Sequence, residues 1–368
     1  MRRTRGRQVE IDTLEELDRR LAQGATSLSG WWVHGLDLSA RGAELARCEV
    51  AGASFLACRF ADGDAERVED RGAIVFPALP GVPIDPYRSG LYTAGELFDA
   101  RPYRASLDAR AYAWSRGPQS PRALLARALH DHAIDGALGG WTAGRHLVGV
   151  MGGHGLERGE PGYAEAARLG RLLGGRLTVT TGGGPGAMEA ANLGARLAAR
   201  TAEELEEALA ELARVPSYHP SIGAWADAAL AVLERLPGRT ETLGIPTWFY
   251  GHEPPNVFAT AIAKYFRNAT REAILVQVCD AGIVFLPGVG GTVQEVFQDG
   301  CENYYADESS VAPMILVGRR YWTETVPAWP LLRSLARGRV MEPHVHLVDT
   351  VEEAAELVEK PAREPAAP

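Results

Sequence analysis

Lysine is nearly absent from this sequence of 368 residues. The chain holds only Lys264 and Lys360, and its other basic side chains are arginines. A P-loop needs a lysine directly after its glycines, and a pyridoxal phosphate enzyme needs a lysine for its Schiff base. Both kinds of site therefore have at most two candidate residues in the whole chain.

Cysteine is also scarce and is not spaced for metal binding. The four cysteines are Cys48, Cys58, Cys279 and Cys301, and no two of them form a CxxC pair. This pattern argues against a zinc site and against a disulfide framework. We expect neither a metal nor an organic cofactor.

Long apolar runs and a basic charge balance are missing as well. No apolar stretch approaches the roughly 20 residues that cross a bilayer. The basic start MRRTRGRQVEI is not followed by the apolar run of a secretion signal. The formal net charge is −9, whereas a protein that grips a nucleic-acid backbone needs a basic face. We therefore expect a cytoplasmic protein whose partners include neither a membrane nor a nucleic acid.

Apolar residues recur every five positions in the N-terminal part of the chain. Two such series are separated by a slip of two residues: Leu28, Val33 and Leu38, and then Leu45, Val50, Phe55 and Phe60. This period suits neither a helix nor a flat strand, and it resembles pentapeptide repeats, which stack into a square β-solenoid. The alternative is a coincidence in an alanine-rich chain. We predict a β-rich, repeat-like region at 1–105 and a helical connector at 106–140.

Strands and helices alternate from about residue 145 onwards. Strands are predicted at 146–151, 177–181, 245–250, 282–286, 314–317 and 345–348, with helices between them, including a long one at 257–279. Strand–loop–helix units in series indicate an α/β fold with a Rossmann-like, doubly wound parallel sheet. We place this domain at 141–358 and predict a disordered tail at 359–368.

Three glycine-rich loops follow predicted strands, at 152–155, 182–186 and 287–292. Ligands bind such sheets at the carboxyl ends of the strands, and glycine allows the backbone N–H groups at a helix start to approach an anion. No lysine follows any of these loops, and the segment GVMGGHG at 149–155 is not GxGxxG. The loops therefore predict the binding of a small phosphate rather than ATP hydrolysis or a dinucleotide.

Glu295 lies three residues after Thr292, in the helix that follows the third loop. If this loop holds a phosphate, Glu295 lies one helical turn away, near the attached sugar. The segment TVQE at 292–295 also has the form of a helix capping box, and a first-turn glutamate is favoured by the helix dipole. The residues alone leave these alternatives open.

Two segments together resemble the paired motifs of one family. TGGGPGAMEAAN at 181–192 and PGVGGTVQE at 287–295 are similar to GGGxxGxM and PGGxGTxxE of the Lonely Guy (LOG) family. The likeness covers about 145–345. It implies a Rossmann-like fold, a homodimer or larger homo-oligomer, and phosphoribohydrolase activity. In that reaction a nucleoside 5′-monophosphate such as AMP is hydrolysed at its N-glycosidic bond to a free base and ribose 5-phosphate.

The resemblance also assigns roles to individual residues. Glu295 would be the catalytic carboxylate. The substrate would be held by Gly288, Gly290, Gly291 and Thr292 at the phosphate, by Gly183, Gly184 and Gly186 on the opposite wall, and by Gly153, Asn256 and Arg267. Asn256 ends the segment HEPPN at 252–256.

The family's catalytic arginine lies in an RKxxM-like run upstream of the proline. Arg271 is the nearest match, although Glu272 replaces the lysine and Leu275 replaces the methionine. Arg267, one helical turn earlier, is the rival. We predict Arg271 as the catalytic arginine and Arg267 as a substrate contact.

Two departures from the family pattern concern the phosphate and base contacts. Val289 replaces the second glycine of PGGxGT, and the loop at 152–155 stands where members usually carry a serine. Some members were once labelled lysine decarboxylases, but Lys264 has no supporting motif here, and we reject that label. Two other functions compete with hydrolysis: a non-catalytic nucleotide-binding regulator, and a protein for a larger ligand such as single-stranded DNA or a pterin cofactor.

Overall fold

The computed structural model describes residues 9–251 and 253–358, which form two compact units. One unit comprises the described residues up to Gly90 together with Pro118–Ala137. The other comprises Leu91–Gly117 and the chain from Leu138 onwards. Residues 91–105, assigned from sequence to the N-terminal region, belong here to the larger unit. His252 and the tail predicted at 359–368 lie outside the described residues.

The smaller unit contains a parallel sheet whose strands are separated by short helices. Its elements are β1 (Val9–Ile11), α1 (Leu14–Ala22), β2 (Trp31–His34), α2 (Gly42–Arg47), β3 (Ser54–Leu56), α3 (Asp64–Glu69) and β4 (Ile74–Phe76). The sheet order is β1-β2-β3-β4, so strands adjacent in the sheet are also consecutive in the chain. The unit is therefore a solenoid of strand–helix repeats.

The repeat of this solenoid is 22 residues at its first two steps and 20 at the third, where Ser54 pairs with Ile74, rather than five. Val9 pairs with Trp31, and Asp37 with Arg59, 22 positions further in each case. The strands separated by short helices give no support to the pentapeptide-repeat prediction. A strand and the turns that flank it place inward-facing residues five apart, and the slip that follows Leu38 accommodates helix α2. A strand–helix unit of this length must stack on its neighbours to bury an apolar face.

The segment after β4 is mainly helical. It contains α4 (Ala94–Leu97), a 3-10 turn at Tyr103–Ala105, α5 (Leu107–Ser115) and α6 (Pro121–Thr142). Thr93 and Glu96 form a capping box at the start of α4, and Ser106 caps α5, which is why these short helices begin at those positions. The boundary between the two units falls within α6.

The larger unit is built on a sheet of seven parallel strands. These are β5 (Leu147–Met151), β6 (Thr178–Thr181), β7 (Thr242–Gly244), β8 (Ala261–Ile262), β9 (Ile283–Phe285), β10 (Met314–Val317) and β11 (Val345–Val348). The helices of this part are α7 (Pro161–Gly174), α8 (Ala187–Arg196), α9 (Ala202–Leu212), α10 (Ile222–Arg235), α11 (Asn268–Gln277), α12 (Gly290–Tyr305), α13 (Ala328–Ala336) and α14 (Val351–Val358). A π-helical turn at Tyr321–Thr325 and a 3-10 turn at Glu342–His344 complete it.

The strand order is β11-β10-β9-β5-β6-β7-β8. The fold is α/β and Rossmann-like, as predicted, and β5 is buried along its whole length, as expected of a parallel strand covered on both faces. From β5 the chain adds strands in one direction, and from β9 it adds them in the other. The switch point of the sheet therefore lies between β5 and β9, and this is where such sheets open a crevice for ligands.

Two predicted elements differ from the structure. The strand predicted at 245–250 is Thr242–Gly244 followed by a loop, and the long helix predicted at 257–279 is the short strand β8 followed by α11. The segment from Val257 to Phe266 is almost entirely buried. A short apolar run of this kind has no period that separates a buried strand from a buried helix.

Among the described residues, no helix is both long and apolar enough to cross a membrane.

Candidate functional site

The three glycine-rich loops meet at the switch point, and Gly153 joins them. The N–H of Gly153 donates to the carbonyl of Pro287 (3.2 Å), and the carbonyl of Gly153 accepts from the N–H of Ala187 (3.1 Å). The loop after β5 thus bonds both to the loop after β9 and to the first residue of α8. One continuous wall of backbone results, as the sequence predicted from the positions of the loops.

The loop after β6 requires glycine at two positions. Gly183 and Gly186 have φ values of +72° and +74°, which side chains other than glycine rarely adopt. A Cβ at Gly186 would also overlap the carbonyl oxygens of Gly153 and His154. These glycines therefore shape the wall, whatever ligand it faces.

The side chain of Asn256 anchors this loop through a hydrogen bond to Gly184. Its side chain is fully buried; Nδ2 donates to the carbonyl of Gly184 and to Oδ1 of Asn192, both at 3.1 Å. Its Oδ1 accepts from the backbone N–H groups of Phe258 and Ala259. Both ends of the amide are occupied by the protein, so the structure gives Asn256 a positioning role. Its direct contact with substrate stays a prediction.

The loop after β9 has a buried base and an open top. Thr292 is only 4% exposed, and a Cβ at Gly288 would overlap its side chain. The carbonyl of Gly288 accepts from the hydroxyl of Tyr321 (2.8 Å). Gly290 and Gly291, by contrast, border open space. They begin α12, where the first N–H groups of a helix have no partner within it, and this end of the loop therefore has room for an anion.

Glu295 lies one turn into α12, and its side chain is 12% exposed. Burial raises the pKa of this carboxyl to about 7; the charge of Arg271 lowers the pKa and the charge of Glu272 raises it. In a capping box, the carboxylate of Glu295 would accept a hydrogen bond from the backbone N–H of Thr292. In this structure the carboxylate instead forms an ion pair with Arg271 Nη1 at 3.7 Å. Glu295 is therefore a buried carboxyl at the mouth of the loop with a proton equilibrium near neutral pH.

Arg271 is fixed by the ends of two strands. Its Nε donates to the carbonyl of Ile245 (2.6 Å), and its Nη2 donates to the carbonyl of Gly182 (3.2 Å). Of the two rival arginines, the structure brings Arg271 to Glu295. Arg267 is exposed and precedes the first residue of α11, and its contact with substrate stays a prediction.

A group of polar residues beside this pair was not singled out as a site from the sequence. Glu272 accepts from the hydroxyl of Tyr250 (2.9 Å) and from Nε2 of Gln294 (2.7 Å). His154 Nε2 lies 3.7 Å from Glu253 Oε1. The one signal in the sequence was that Glu272 stands where the family motif has a lysine. That replacement places a second carboxylate next to Arg271.

Two buried ion pairs support the unit away from the loops. Arg158 pairs with Glu189 and donates to the carbonyl of Trp225 (3.0 Å). Lys264 Nζ lies 2.6 Å from Asp108 Oδ1, and the two side chains are 1% and 0% exposed. Lys264 is therefore enclosed by the protein and paired with Asp108. Within residues 9–251 and 253–358, no group of three His, Cys, Asp or Glu is placed to hold a metal ion.

No protein-family profile and no curated protein sequence matches this chain. Solved structures with a similar course of the backbone include the molybdenum cofactor binding protein from the phototrophic bacterium Rippkaea orientalis, at 20% identity and a TM-score of 0.38, over 59% of this chain and 97% of that one. The Moco carrier protein from Chlamydomonas reinhardtii has 19% identity and a TM-score of 0.36, over 58% and 96%. The protein TM1055 has 20% identity and a TM-score of 0.37, over 58% and 98%. The fold assignment rests on the strand order and parallel pairing described above.

Proposed function

We propose that the larger unit hydrolyses the N-glycosidic bond of a nucleoside 5′-monophosphate to release the free base and ribose 5-phosphate. One observation carries the proposal. A buried carboxyl, Glu295, has a pKa near 7 and lies beside Arg271, one helical turn from an open glycine-rich loop at the switch point. Perturbed carboxyls in such crevices are typical of acid–base chemistry. The resemblance of 181–192 and 287–295 to the LOG motifs points to the same reaction.

The phosphate would lie at the start of α12. The first N–H groups of the helix and its dipole favour an anion there, and Gly290 and Gly291 leave space for it. Gly288 and Thr292 would shape this seat from beneath, because Thr292 is buried against Gly288. The opposite wall, formed by Gly183, Gly184 and Gly186, would face the nucleoside.

Glu295 would serve the bond-breaking step. Cleavage of the C1′–N bond develops positive charge on the ribose, as in glycoside hydrolysis, and an ionised carboxylate stabilises that charge. Water supplies the oxygen of the new C1′–O bond. Glu295 takes a proton from this water and passes it to the departing base nitrogen, so the carboxylate is regenerated. A pKa near the working pH suits a group that must both accept and release a proton.

The positive charge of Arg271 would keep Glu295 partly ionised. Its pairing lowers the pKa of a carboxyl that burial and Glu272 otherwise raise. Because Nε and Nη2 are bound to the carbonyls of Ile245 and Gly182, the guanidinium is held in place before substrate arrives. Such preorganised charge supplies a large part of the rate in many enzymes.

The test is base release from a panel of nucleoside 5′-monophosphates, followed by chromatography. We expect the native chain to release base from at least one of them, and Glu295→Gln to lower the rate by about 10²–10⁴-fold while it leaves nucleotide binding largely intact. Glu206→Gln, at an exposed position of α9, makes the same chemical change away from the crevice and should be neutral. Normal turnover in Glu295→Gln would contradict the assignment.

One observation favours a second function, a non-catalytic nucleotide-binding regulator. Val289 replaces a glycine of the family motif, and its side chain is 63% exposed in the middle of the phosphate loop, where its bulk limits how closely an anion can approach. Measurable binding without base release from any nucleotide would support this function. If Val289→Gly then gained hydrolysis, the valine would be the cause of the lost activity.

A further inference from the structure

A π-helical turn after β10 lies against the loop after β9, which is the proposed phosphate loop. The turn spans Tyr321–Thr325, and π-helical turns are rare and occur frequently at functional sites. Its base is fixed, because Trp322 is fully buried and its backbone N–H donates to the carbonyl of Gly318 (3.1 Å). The turn therefore gives the side chain of Tyr321 a fixed support from which it reaches the phosphate loop.

Two successive carbonyl groups of the phosphate loop are held by neighbouring loops. The carbonyl of Gly288 accepts from the hydroxyl of Tyr321 (2.8 Å). The carbonyl of Pro287, one residue earlier, accepts from the N–H of Gly153 (3.2 Å). In the sheet, β9 lies between β10 and β5; Tyr321 follows β10, whereas Gly153 follows β5. The two carbonyls are therefore held from opposite sides of the loop.

The orientation of the Gly288 carbonyl also sets the direction of the next N–H group. The peptide bond between Gly288 and Val289 is trans, because the cis bonds of the described residues precede Pro102 and Pro220. In a planar trans peptide the carbonyl and the N–H point in opposite directions. The N–H of Val289 is thus turned away from Tyr321, towards the side of β5 on which the crevice opens. No described residue accepts a hydrogen bond from this N–H.

The backbone at Gly288 does little to hold this peptide group by itself. A residue without a Cβ adopts a wide range of backbone angles. A Cβ at Gly288 would overlap the side chain of Thr292, so no larger residue can restrict the backbone there. If the peptide group rotated, its carbonyl oxygen, which carries partial negative charge, would face the crevice and repel an anion. The hydrogen bond from Tyr321 opposes that rotation.

We propose that Tyr321 is a positioning residue for the phosphate group of a phosphomonoester. Its hydroxyl keeps the carbonyl of Gly288 out of the crevice and the N–H of Val289 directed into it, as a donor to the phosphate. This donor joins the first N–H groups of α12, which favour an anion. It is a backbone group, so the valine that replaces the family's glycine leaves it in place. The inference rests on the proposed function, from which it takes the phosphate seat, but it does not require that the bound ligand be hydrolysed.

The test is isothermal titration of the full-length protein with ribose 5-phosphate and with adenosine. The first probe carries the phosphate and has no base to release, and the second carries a base without a phosphate. Tyr321→Phe removes only the hydroxyl. It should weaken ribose 5-phosphate by about threefold to tenfold, the effect of one neutral hydrogen bond, and leave adenosine unchanged. Tyr305→Phe makes the same change at an 85% exposed position at the end of α12 and should bind both probes as the native chain does.

Three results would overturn the assignment of Tyr321. One is equal affinity of Tyr321→Phe and the native chain for ribose 5-phosphate. Another is an equal loss of affinity for adenosine, which would show a general disturbance of the crevice. The third is the absence of ribose 5-phosphate binding by the native chain.

Base release from the nucleotide panel tests the proposed hydrolysis separately. Where the native chain releases base, Tyr321→Phe should raise KM by the same factor of about three to ten and change kcat little, because the phosphate contact is present in both the bound substrate and the transition state. If no nucleotide releases base while Tyr321→Phe still weakens ribose 5-phosphate, the hydrolysis is contradicted and the role of Tyr321 stands.

Discussion

The two parallel sheets of this chain are assembled in different orders. In the smaller unit each new strand is added beside the previous one, and the sheet order repeats the chain order. In the larger unit the order reverses between β5 and β9. A sequential sheet has no switch point, so its connections all proceed in the same direction and no two neighbouring loops diverge. The reversal separates two loops and opens the crevice in which Glu295 and Arg271 lie.

The interiors of the two units also differ in how many polar residues they bury. The described core of the smaller unit is a stack of apolar residues around Phe55, with Asp64, His130 and Asp131 as its buried polar residues. The larger unit buries more polar residues, among them Asn256 and Thr292 at the glycine-rich loops and the ion pairs Arg158–Glu189 and Lys264–Asp108. A repeat needs only shape and hydrophobic contact with its neighbours, whereas a crevice needs groups with fixed positions and charges.

The largest effect is expected from Lys264→Met in the larger unit. This change leaves the carboxylate of Asp108 buried without its ammonium partner, while the indole N–H of Trp248 (2.8 Å) and the hydroxyl of Tyr103 still donate to it. We expect a loss of about 3–5 kcal/mol in the free energy of unfolding, because one partner of a buried ion pair has been removed. Urea denaturation followed by circular dichroism measures it.

The matched control for this variant is the double change Lys264→Met with Asp108→Leu. It removes both charges and should recover a large part of the lost stability. A loss below 1 kcal/mol in Lys264→Met would show that buried charges do not distinguish the two interiors energetically.

Glu295→Gln should stabilise the protein at alkaline pH. The folded protein holds the Glu295 proton up to a pKa of about 7, whereas the unfolded chain releases it near the ordinary value of 4.5. Between these pH values the folded state binds more protons than the unfolded chain. The free energy of unfolding is therefore highest below pH 4.5, as far as Glu295 determines it, and falls as the pH rises to 7. At pH 8 we expect Glu295→Gln to exceed the native chain by about 2–3 kcal/mol.

The comparison across pH supplies the control for this prediction. Urea unfolding of both proteins at pH 4.5 should show nearly equal stability. If the difference between them were the same at pH 4.5 and at pH 8, the folded-state pKa of Glu295 would not be raised.

A pair of alanine substitutions separates the base of the phosphate loop from its open top. Gly288→Ala places a Cβ against the side chain of Thr292 and should cost about 1–3 kcal/mol of stability through overpacking. Gly290→Ala meets nothing within 4 Å and should change stability by less than about 0.5 kcal/mol. The second variant should still bind nucleotide more weakly, because its methyl group occupies the proposed anion seat. Thermal unfolding measures the stability of both variants, and nucleotide titration measures their affinity. Unchanged nucleotide affinity in Gly290→Ala would place the phosphate elsewhere.

In the smaller unit we expect a small, pH-dependent effect from Glu10→Gln. Burial acts to lower the pKa of His34, but hydrogen bonds to Glu10 (2.5 Å) and to the carbonyl of Tyr87 (2.6 Å), with the charges of Glu10 and Asp12, raise it above 6.5. The pairing of His34 with Glu10 therefore increases the free energy of unfolding. This increase has its full size below pH 6.5 and disappears as the pH rises through the folded-state pKa of His34. Glu10→Gln should cost about 1 kcal/mol or less at pH 6 and nothing at pH 9. Equal losses at both pH values would contradict the role of His34.

The larger fold could be predicted because its strong patterns are local. The strands Met314–Val317 and Val345–Val348 match their predicted bounds. The segment from Val257 to Phe266 could not be assigned, because a fully buried run has no polar face to reveal its period. In the smaller unit, five-residue spacing within each repeat concealed the longer period.

The parts of the candidate site that could be predicted from the sequence are those marked by the spacing of glycines and of the neighbouring motif residues. The sequence placed the three loops together and ranked Arg271 above Arg267. It could not show that Asn256 and Thr292 face inward, since burial depends on the surrounding structure. The partnership of Lys264 with Asp108 was also invisible, because 156 positions separate the two residues and no local pattern connects them.

The chain enters and leaves each unit more than once, since the divisions fall after Gly90, Gly117 and Ala137. Neither unit is therefore encoded by one uninterrupted stretch of gene. A recombination event between codons 118 and 137 would inherit Asp108 from one parent and Lys264 from the other. We expect a hybrid made at that position to lose stability whenever its two parents differ at one residue of the buried pair.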